Sequence, residues 1–268
     1  LQLKKTIGYK TIANWLQAQD FAPFPFQEES WQQIIDGKSG LVNAPTGTGK
    51  TFSVFLGALI QFINEHPETY QTKSKNGLQL IWITPLRALA KDIGRAMERV
   101  IFELGLQWKV GIRNGDTSLA DRQKQKRQMP EVLIITPESL HLLLAQKGYP
   151  EVFKSLKIIA ADEWHELMSS KRGVQVELAI SRIAGLKKAN CLRLTANNEE
   201  DKKQQAKAGT FSKAHDAAPP ATGSFSIWGI SATIGNLEQA MEVLLAPLQA
   251  WGFEKVGVIV RASVSKKI

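Results

Sequence analysis

Ala44-Pro45-Thr46-Gly47-Thr48-Gly49-Lys50-Thr51 is the stretch that decides how the chain folds. A short apolar run, Gly40 to Asn43, precedes it and predicts a buried strand. An apolar-rich run, Phe52 to Ile63, follows and is long enough for a helix. Strand, glycine-rich loop and helix, in that order, is what a phosphate-cradling loop requires. Gly47 and Gly49 let the backbone curl so that successive N–H groups converge on one anion. The positive end of the following helix dipole points at the same place. Lys50 is placed to reach the terminal phosphates of a nucleotide, and Thr51 to offer its hydroxyl to the Mg2+ that bridges them. The motif's first glycine is replaced by Ala44. An ordinary Gly/Thr-rich surface turn is the plainer alternative, and the strand–loop–helix context weighs against it.

A second element weighs further. Lys157 to Ala161 predicts a strand that ends at Asp162-Glu163-Trp164-His165. Adjacent carboxylates delivered beside a phosphate loop make the other half of a nucleotide-hydrolysing site. Asp162 would hold Mg2+, directly or through water, and Glu163 would orient and deprotonate the attacking water. His165 follows two residues on, where it could sense the phosphate state. The plain alternative is an acidic helix N-terminus.

Around these two anchors the pattern alternates between strands and helices. Tyr9 to Gln19 predicts a short helix, and Phe21-Ala22-Pro23-Phe24-Pro25-Phe26-Gln27 cannot be helical throughout. A helix follows from about Glu28 to Asp36. Gln27 carries a donor and an acceptor and could read an adenine edge; on spacing alone, the three Phe read as core and Gln27 as a local cap. Leu78 to Thr84, Trp108 to Ile112 and Val132 to Thr136 predict further strands. Between the first two lies a helix, Leu86 to Leu104, with Leu86, Leu89, Ile93, Met97, Val100 and Leu104 at helical spacing. Arg122, Lys124, Lys126 and Arg127 form a basic run, whose ordinary meaning is a solvated face. Thr84-Pro85 and Thr136-Pro137 each end a strand and open a helix. Such helix N-termini suit phosphate, though Pro at the first helical position is also common for structural reasons. Val174 to Leu186 predicts another helix. Ala196 to Ser224 then lacks Val, Ile, Leu and Met and reads as a polar, mobile insertion at 196–224. Ser226 to Ile230 resumes as a strand and runs into Ser231-Ala232-Thr233; a helix, Leu237 to Leu245, and a last strand, Lys255 to Val260, follow.

With these motifs in this order the chain resembles the first motor domain of superfamily 2 helicases. Pro23-Phe24-Pro25-Phe26-Gln27 resembles the adenine-reading Q motif, and Thr84-Pro85-Leu86-Arg87-Ala88-Leu89-Ala90 looks like motif Ia. Gly115-Asp116-Thr117 and Thr136-Pro137-Glu138-Ser139-Leu140 look like the other strand-gripping motifs of that lobe. Asp162-Glu163-Trp164-His165-Glu166-Leu167, then Lys171-Arg172-Gly173, is similar to the Lhr-type branch and, within it, to the ligase-associated DEXH-box helicases of bacteria. The resemblance implies a RecA-like, three-layer α/β domain over residues 1–260, with a mostly parallel sheet and helices on both faces. It implies an ATP- and Mg2+-dependent translocase on single-stranded DNA that unwinds duplexes in DNA repair. RNA in place of DNA, or a non-enzymatic scaffold that binds nucleotide or nucleic acid, are the alternatives. In the family reading Gln27 contacts adenine, and Thr46, Gly47, Thr48, Gly49, Lys50 and Thr51 hold the phosphates. Thr51 and Asp162 hold Mg2+, and Lys50, Asp162, Glu163 and His165 carry out hydrolysis. Ser231 and Thr233 couple hydrolysis to strand movement, and Arg87, Thr136 and Arg172 become DNA contacts. Residues 261–268 look like the start of a connector to a second RecA-like lobe, which no part of this sequence matches. Because that lobe supplies arginines to the ATP site, the chain alone is expected to hydrolyse ATP poorly. A DNA ligase and a nuclease are the partners the resemblance suggests.

Composition sets the outer limits. The 268 residues suffice for one large α/β domain or two small ones. A hydrophobic share of 43% and a charged share of 22% are those of a globular protein. No apolar run suits a signal peptide or a bilayer crossing, and one cysteine fits a reducing compartment, so a cytoplasmic, nucleoid-associated location without membrane contact is expected. The single cysteine, Cys191, excludes an internal disulfide and a cysteine zinc site and reads as a small buried apolar residue. A net charge of +9 suits a polyanionic partner such as nucleic acid, or simply a basic surface.

Overall fold

The computed structural model describes residues 2–207, 225–232, 234–253 and 257–262, with side chains outside 193–207. Seven strands form one sheet: β1 (Gly40–Asn43), β2 (Leu80–Ile83), β3 (Val110–Arg113), β4 (Val132–Ile135), β5 (Ile158–Ala161), β6 (Ser226–Ser231) and β7 (Val258–Arg261). Their spatial order is β3-β4-β2-β5-β6-β1-β7, and every pairing among the described residues is parallel. Such a sheet must be covered on both faces, which is why its strands are nearly continuous apolar runs.

Alternation along each strand divides the core in two. Leu80 and Trp82 of β2 face one layer and Ile81 and Ile83 the other. The first layer holds α1 (Ile7–Gln17), α2 (Pro25–Ile35), α3 (Lys50–Glu65) and α4 (Arg87–Glu103). The second holds α6 (Pro137–Leu144), the start of α9 (Lys171–Lys207) and α10 (Leu237–Ala250), with the short α7 (Tyr149–Val152) and α8 (Trp164–Met168). A basic helix, α5 (Leu119–Arg127), follows the edge strand β3. The expected α/β/α sandwich is therefore the observed one.

Helix α3 is buried almost all round, because α1 and α2 cover the side that does not meet the sheet. Gly8 permits the approach: a Cβ there would run into the backbone of Ile60. The helix that follows the phosphate loop is thus held rigidly from both sides.

Several expectations need correction. Of the expected α4 stripe, Met97, Val100 and Leu104 are buried and Ile93 packs partly against the core, but Leu86 and Leu89 are substantially exposed, and Ala90, Gly94 and Ile101 are buried as well. The helix starts at Arg87 and its first turn projects beyond the sheet, so the apolar period there has no core to meet. Of the three Phe near Gln27, only Phe26 is core; Phe21 and Phe24 are 66% and 53% exposed. Cys191 is half-buried, because it lies on α9 past Ile183 and Ala184, the last α9 residues buried in the second layer. The helix predicted to end near Leu186 continues to Lys207, so residues 196–207 of the expected insertion prolong α9. The rest of that insertion, 208–224, lies outside the described residues, as do Thr233 and all of the expected connector beyond Ala262. No helix among the described residues is long and apolar enough to cross a membrane.

Candidate functional site

In a parallel sheet of this order the carboxyl ends of all strands lie on one edge, and the loops that leave them share one surface. Every sequence motif is on that edge. Residues 44–49 follow β1, Thr84 to Arg87 follow β2, Asn114 to Thr117 follow β3, Thr136 follows β4, Asp162 and Glu163 follow β5, and Ala232 follows β6. Because β1, β6 and β5 are neighbours, the phosphate loop, the acidic pair and Ser231 converge at one end; β2, β4 and β3 carry the remaining motifs toward the other.

The phosphate loop has the backbone its glycines were expected to allow. Gly47 and Gly49 have φ of 81° and 77°, the left-handed region, and Gly49 is the N-cap of α3. Lys50 is only 8% exposed, and its Nζ has no hydrogen-bond partner. Its nearest charge is Glu163 Oε1 at 4.0 Å. An ammonium held this way is costly unless an anion completes its shell. That orphaned donor, at a helix N-terminus beside a glycine-rich loop, fits the terminal phosphates of a nucleotide.

Asp162 and Glu163 play opposite parts in charge. Asp162 is buried, and burial first, then the charge of Glu163, pushes its carboxyl up to about 6. Trp82 Nε1 donates to Asp162 Oδ2 at 3.1 Å and the Glu163 N–H donates to Oδ1 at 3.0 Å, which holds the carboxylate in one orientation. Trp82 was not singled out in the sequence; its signal was a lone indole N–H in an otherwise apolar strand beside β5. A divalent cation would add to the counter-charge of Lys50, which does not offset burial and Glu163 at Asp162. Among the described residues no cluster of three or more His, Cys, Asp or Glu could hold a metal alone. A hard cation bound here would therefore draw other oxygens from phosphate, hydroxyl or water, as Mg2+ does. Thr51, half-buried in the first turn of α3, is the hydroxyl nearest in sequence to Lys50.

Glu163 has φ 48° and ψ 45°, a left-handed conformation uncommon for any residue other than glycine. Its carboxylate reaches both ways: Oε1 toward Lys50, and Oε2 to 3.5 Å from His165 Nδ1. His165 Nδ1 in turn lies 2.9 Å from Ser231 Oγ. Asn43 Nδ2, at the end of β1, donates to Ala232 O at 3.2 Å. Lys50, Glu163, His165 and Ser231 are thus linked across three loops.

Gln27 does two things at once. Its Oε1 accepts from the Phe24 N–H at 3.0 Å, capping α2, and its Nε2 donates to Gly49 O at 3.1 Å. The expected local cap is present, and the same side chain braces the phosphate loop. One N–H of its amide stays free of these two bonds.

The remaining motif residues occupy the other end. Arg87 NH1 lies 3.3 Å from Asp116 Oδ1 and its guanidinium rests against Gly115. With Lys91, Asn114 and Thr117 it borders an open groove of about 360 Å³. Thr136 is buried and its Oγ1 donates to Ser139 Oγ at 3.2 Å, so its side chain is committed internally. Arg172 Nε donates to Glu138 Oε1 at 2.7 Å and NH1 to Pro85 O at 3.2 Å, tying α9 to the starts of α6 and α4.

Comparison with known proteins agrees with this arrangement. Residues 24–240 match the family model described as DEAD/DEAH box helicase. The chain is 35% identical over 179 residues to a Lhr helicase/probable uracil glycosylase of Mycolicibacterium smegmatis, covering 63% of this chain and 12% of that protein. It is 30% identical over 195 residues to the ATP-dependent helicase Lhr-Core of Methanocaldococcus jannaschii, covering 69% of this chain and 22% of that protein. The chain thus spans about an eighth to about a fifth of the curated relatives it matches. The structure of Mycobacterium smegmatis helicase Lhr bound to ssDNA and AMP-PNP superposes with a TM-score of 0.68 at 25% identity, covering 96% of this chain and 27% of that one. The matched model takes in the phosphate loop, the acidic pair and the strand that delivers Ser231, and on that ground the chain belongs to the DEAD/DEAH box helicase family.

Proposed function

We propose that residues 1–260 form the ATP-binding lobe of a helicase motor that moves along single-stranded DNA. The observation that carries this reading is the buried Lys50 ammonium, which has no hydrogen-bond partner and is linked through Glu163 and His165 to Ser231. A phosphate at Lys50 would alter the charge that Glu163 faces, and the change has a short path to a different loop.

ATP with Mg2+ supplies the cleavable phosphoanhydride and the charge that spreads over its oxygens. The protein's part is positional and electrostatic. Lys50 and the N–H groups of the loop bind the terminal phosphates; Thr51 and Asp162 would hold Mg2+. Glu163 orients the attacking water and takes its proton at a carboxylate oxygen. His165 and Ser231, with Thr233, pass the state of that carboxylate to the nucleic-acid side. Gln27 retains one N–H for an adenine edge while bracing Gly49.

The nucleic-acid side is the Arg87 groove. The solved mycobacterial relative was bound to ssDNA, and the +9 net charge favours a polyanion. Arg87 and the backbone around Thr136 would meet phosphates, with Arg172 supporting both loops. A second RecA-like lobe of the same motor would complete the ATP site, and repair of DNA beside a ligase and a nuclease, near the nucleoid, is the setting this reading implies.

Binding of a fluorescent ATP analogue tests the reading. It is expected for the wild-type chain and lost in Lys50→Ala. Displacement of a labelled single-stranded oligonucleotide by unlabelled DNA and RNA of matched sequence then identifies the strand. An equal response of wild type and Lys50→Ala to nucleotide would overturn the proposal.

A further inference from the structure

Arg113 closes β3 on the face opposite to Ile112, pointing to the α6 side of the sheet. It is 3% exposed. Its NH1 is sealed from solvent and has no hydrogen-bond partner. Among the described residues it forms no ion pair; burial first, and then the charge of the Arg122 guanidinium, disfavours the cation. A guanidinium in this state is unusual, because buried charges are almost always paired and the five donors of Arg demand acceptors.

Arg113 is among the residues that line a cavity of about 190 Å³ between the end of β3 and the α6–α7 turn. Lys126 and Lys147 stand exposed on its rim, and its wall combines the polar Gln146 and Tyr149 with the apolar Met129, Leu143 and Val152. Glu151, also on the rim, is turned to Lys154 at 3.9 Å and is 80% exposed. The Arg182 guanidinium lies 4.4 Å over the Tyr149 ring from the other side, which fixes that wall. The volume is below the ~300 Å³ of an ordinary small-molecule pocket but ample for one tetrahedral oxyanion with water.

We infer that Arg113, Lys126 and Lys147 form a phosphate-binding site separate from the ATP site. Arg113 sits at the opposite edge of the sheet from β1, five strand spacings or roughly 24 Å away. A buried planar fork with two mobile ammonium groups suits a phosphate, since Arg binds such an anion through two parallel N–H bonds. The cavity flanks the strand end whose other face borders the Arg87 groove. A backbone phosphate of the strand proposed for that groove is therefore one source, and free phosphate the other. The first source rests on the functional reading above; the site itself does not.

Two measurements on the 268-residue chain test it. The first is the rise in melting temperature caused by inorganic phosphate, against chloride at equal ionic strength, in Lys50→Ala protein so that the phosphate loop is silent. The rise is expected, and is expected to vanish when Arg113→Gln is added. Lys147→Gln, on the exposed rim where folding is not at stake, should weaken it. The second is the salt dependence of binding to a labelled oligothymidylate, whose logarithmic slope should become shallower by about 0.7 in Arg113→Gln, one phosphate contact fewer. Both changes together assign a backbone phosphate. Loss of the phosphate effect with an unchanged slope, or without oligonucleotide binding at all, assigns free phosphate, and the latter result also removes the nucleic-acid reading. No Arg113-dependent change in either measurement overturns the site.

Discussion

Ser231 Oγ lies 2.9 Å from His165 Nδ1, and that same ring nitrogen lies 3.5 Å from Glu163 Oε2. One nitrogen therefore faces two partners on two different loops. With a proton on Nδ1 the ring can donate to the carboxylate or to the serine oxygen; without one it accepts the serine proton. Any event that recruits Glu163 to water changes what Nδ1 offers Ser231. This nitrogen is thus a polar link between the acidic loop and the end of β6.

His165→Ala should therefore separate binding from its consequence. The fold and nucleotide affinity should hold within about fivefold, since surface-side losses of one such bond cost ~1 kcal/mol or less. The response of nucleotide hydrolysis to single-stranded nucleic acid should fall well beyond that. Steady-state turnover with and without oligonucleotide checks it, and an undiminished stimulation would break the proposed path.

Lys50→Ala should abolish nucleotide binding without destabilising the chain. The ammonium is buried and lacks a hydrogen-bond partner, so its removal deletes a desolvation cost as well as some packing of the stem. A melting temperature equal to or above wild type, alongside lost nucleotide binding, is the expected pair. A folded-state collapse would mean that the lysine is structural.

Asp162 makes a pH prediction with a definite sign. Its carboxyl is raised from 3.8 to about 6 by burial and by Glu163, so between those values the folded chain binds more protons than the unfolded chain. Stability from this group is thus largest in acid, falls as pH rises toward 6 and is level above it. The full change is on the order of 2–3 kcal/mol. Asp162→Asn does not titrate, so its melting temperature minus that of wild type should climb from pH 4 to about 6 and then flatten. A difference that is flat across this range would show that the burial of Asp162 is relieved in solution.

Arg172 divides two explanations of one residue. Its guanidinium bonds Glu138 and Pro85 O, both sides being about half exposed. Arg172→Ala should cost only ~0.5–1 kcal/mol of stability after solvent screening. If it also contacts the strand, oligonucleotide affinity should fall more than in Glu138→Gln, which loosens the same clamp but keeps the cation. Equal effects of the two variants would assign Arg172 to support alone.

These cases show which parts of the structure were legible beforehand. Strand β1, the loop to Lys50 and the β5 acids were readable because local chemistry and the strand–loop–helix pattern agree there. Leu86 and Leu89 keep a helical period yet point outward, because periodicity does not reveal where a sheet ends. Gln27 had two competing readings: the local cap is present, while the adenine contact rests on the one amide N–H left over by the bonds to Phe24 and Gly49. Arg113 was silent: a lone arginine closing an apolar strand has no spacing signature, and its lack of a partner exists only once α6 is packed against the sheet. Trp82 is similar, because its bond to Asp162 depends on β2 and β5 being neighbours, which chain order does not dictate.

Glu163 is where the fold and the proposed chemistry conflict most directly. Its left-handed backbone costs roughly 1–2 kcal/mol, and its charge sits beside the buried Asp162. Nothing in the packing of α8 demands a glutamate at that N-cap, where a short polar residue would fit better. Asparagine tolerates the left-handed region and removes the like charge. Glu163→Asn should therefore raise stability by about 1 kcal/mol in a denaturant titration, while hydrolysis falls ~10²-fold or more and nucleotide binding persists. A variant both less stable and equally active would mean that Glu163 is held by the fold and not by catalysis.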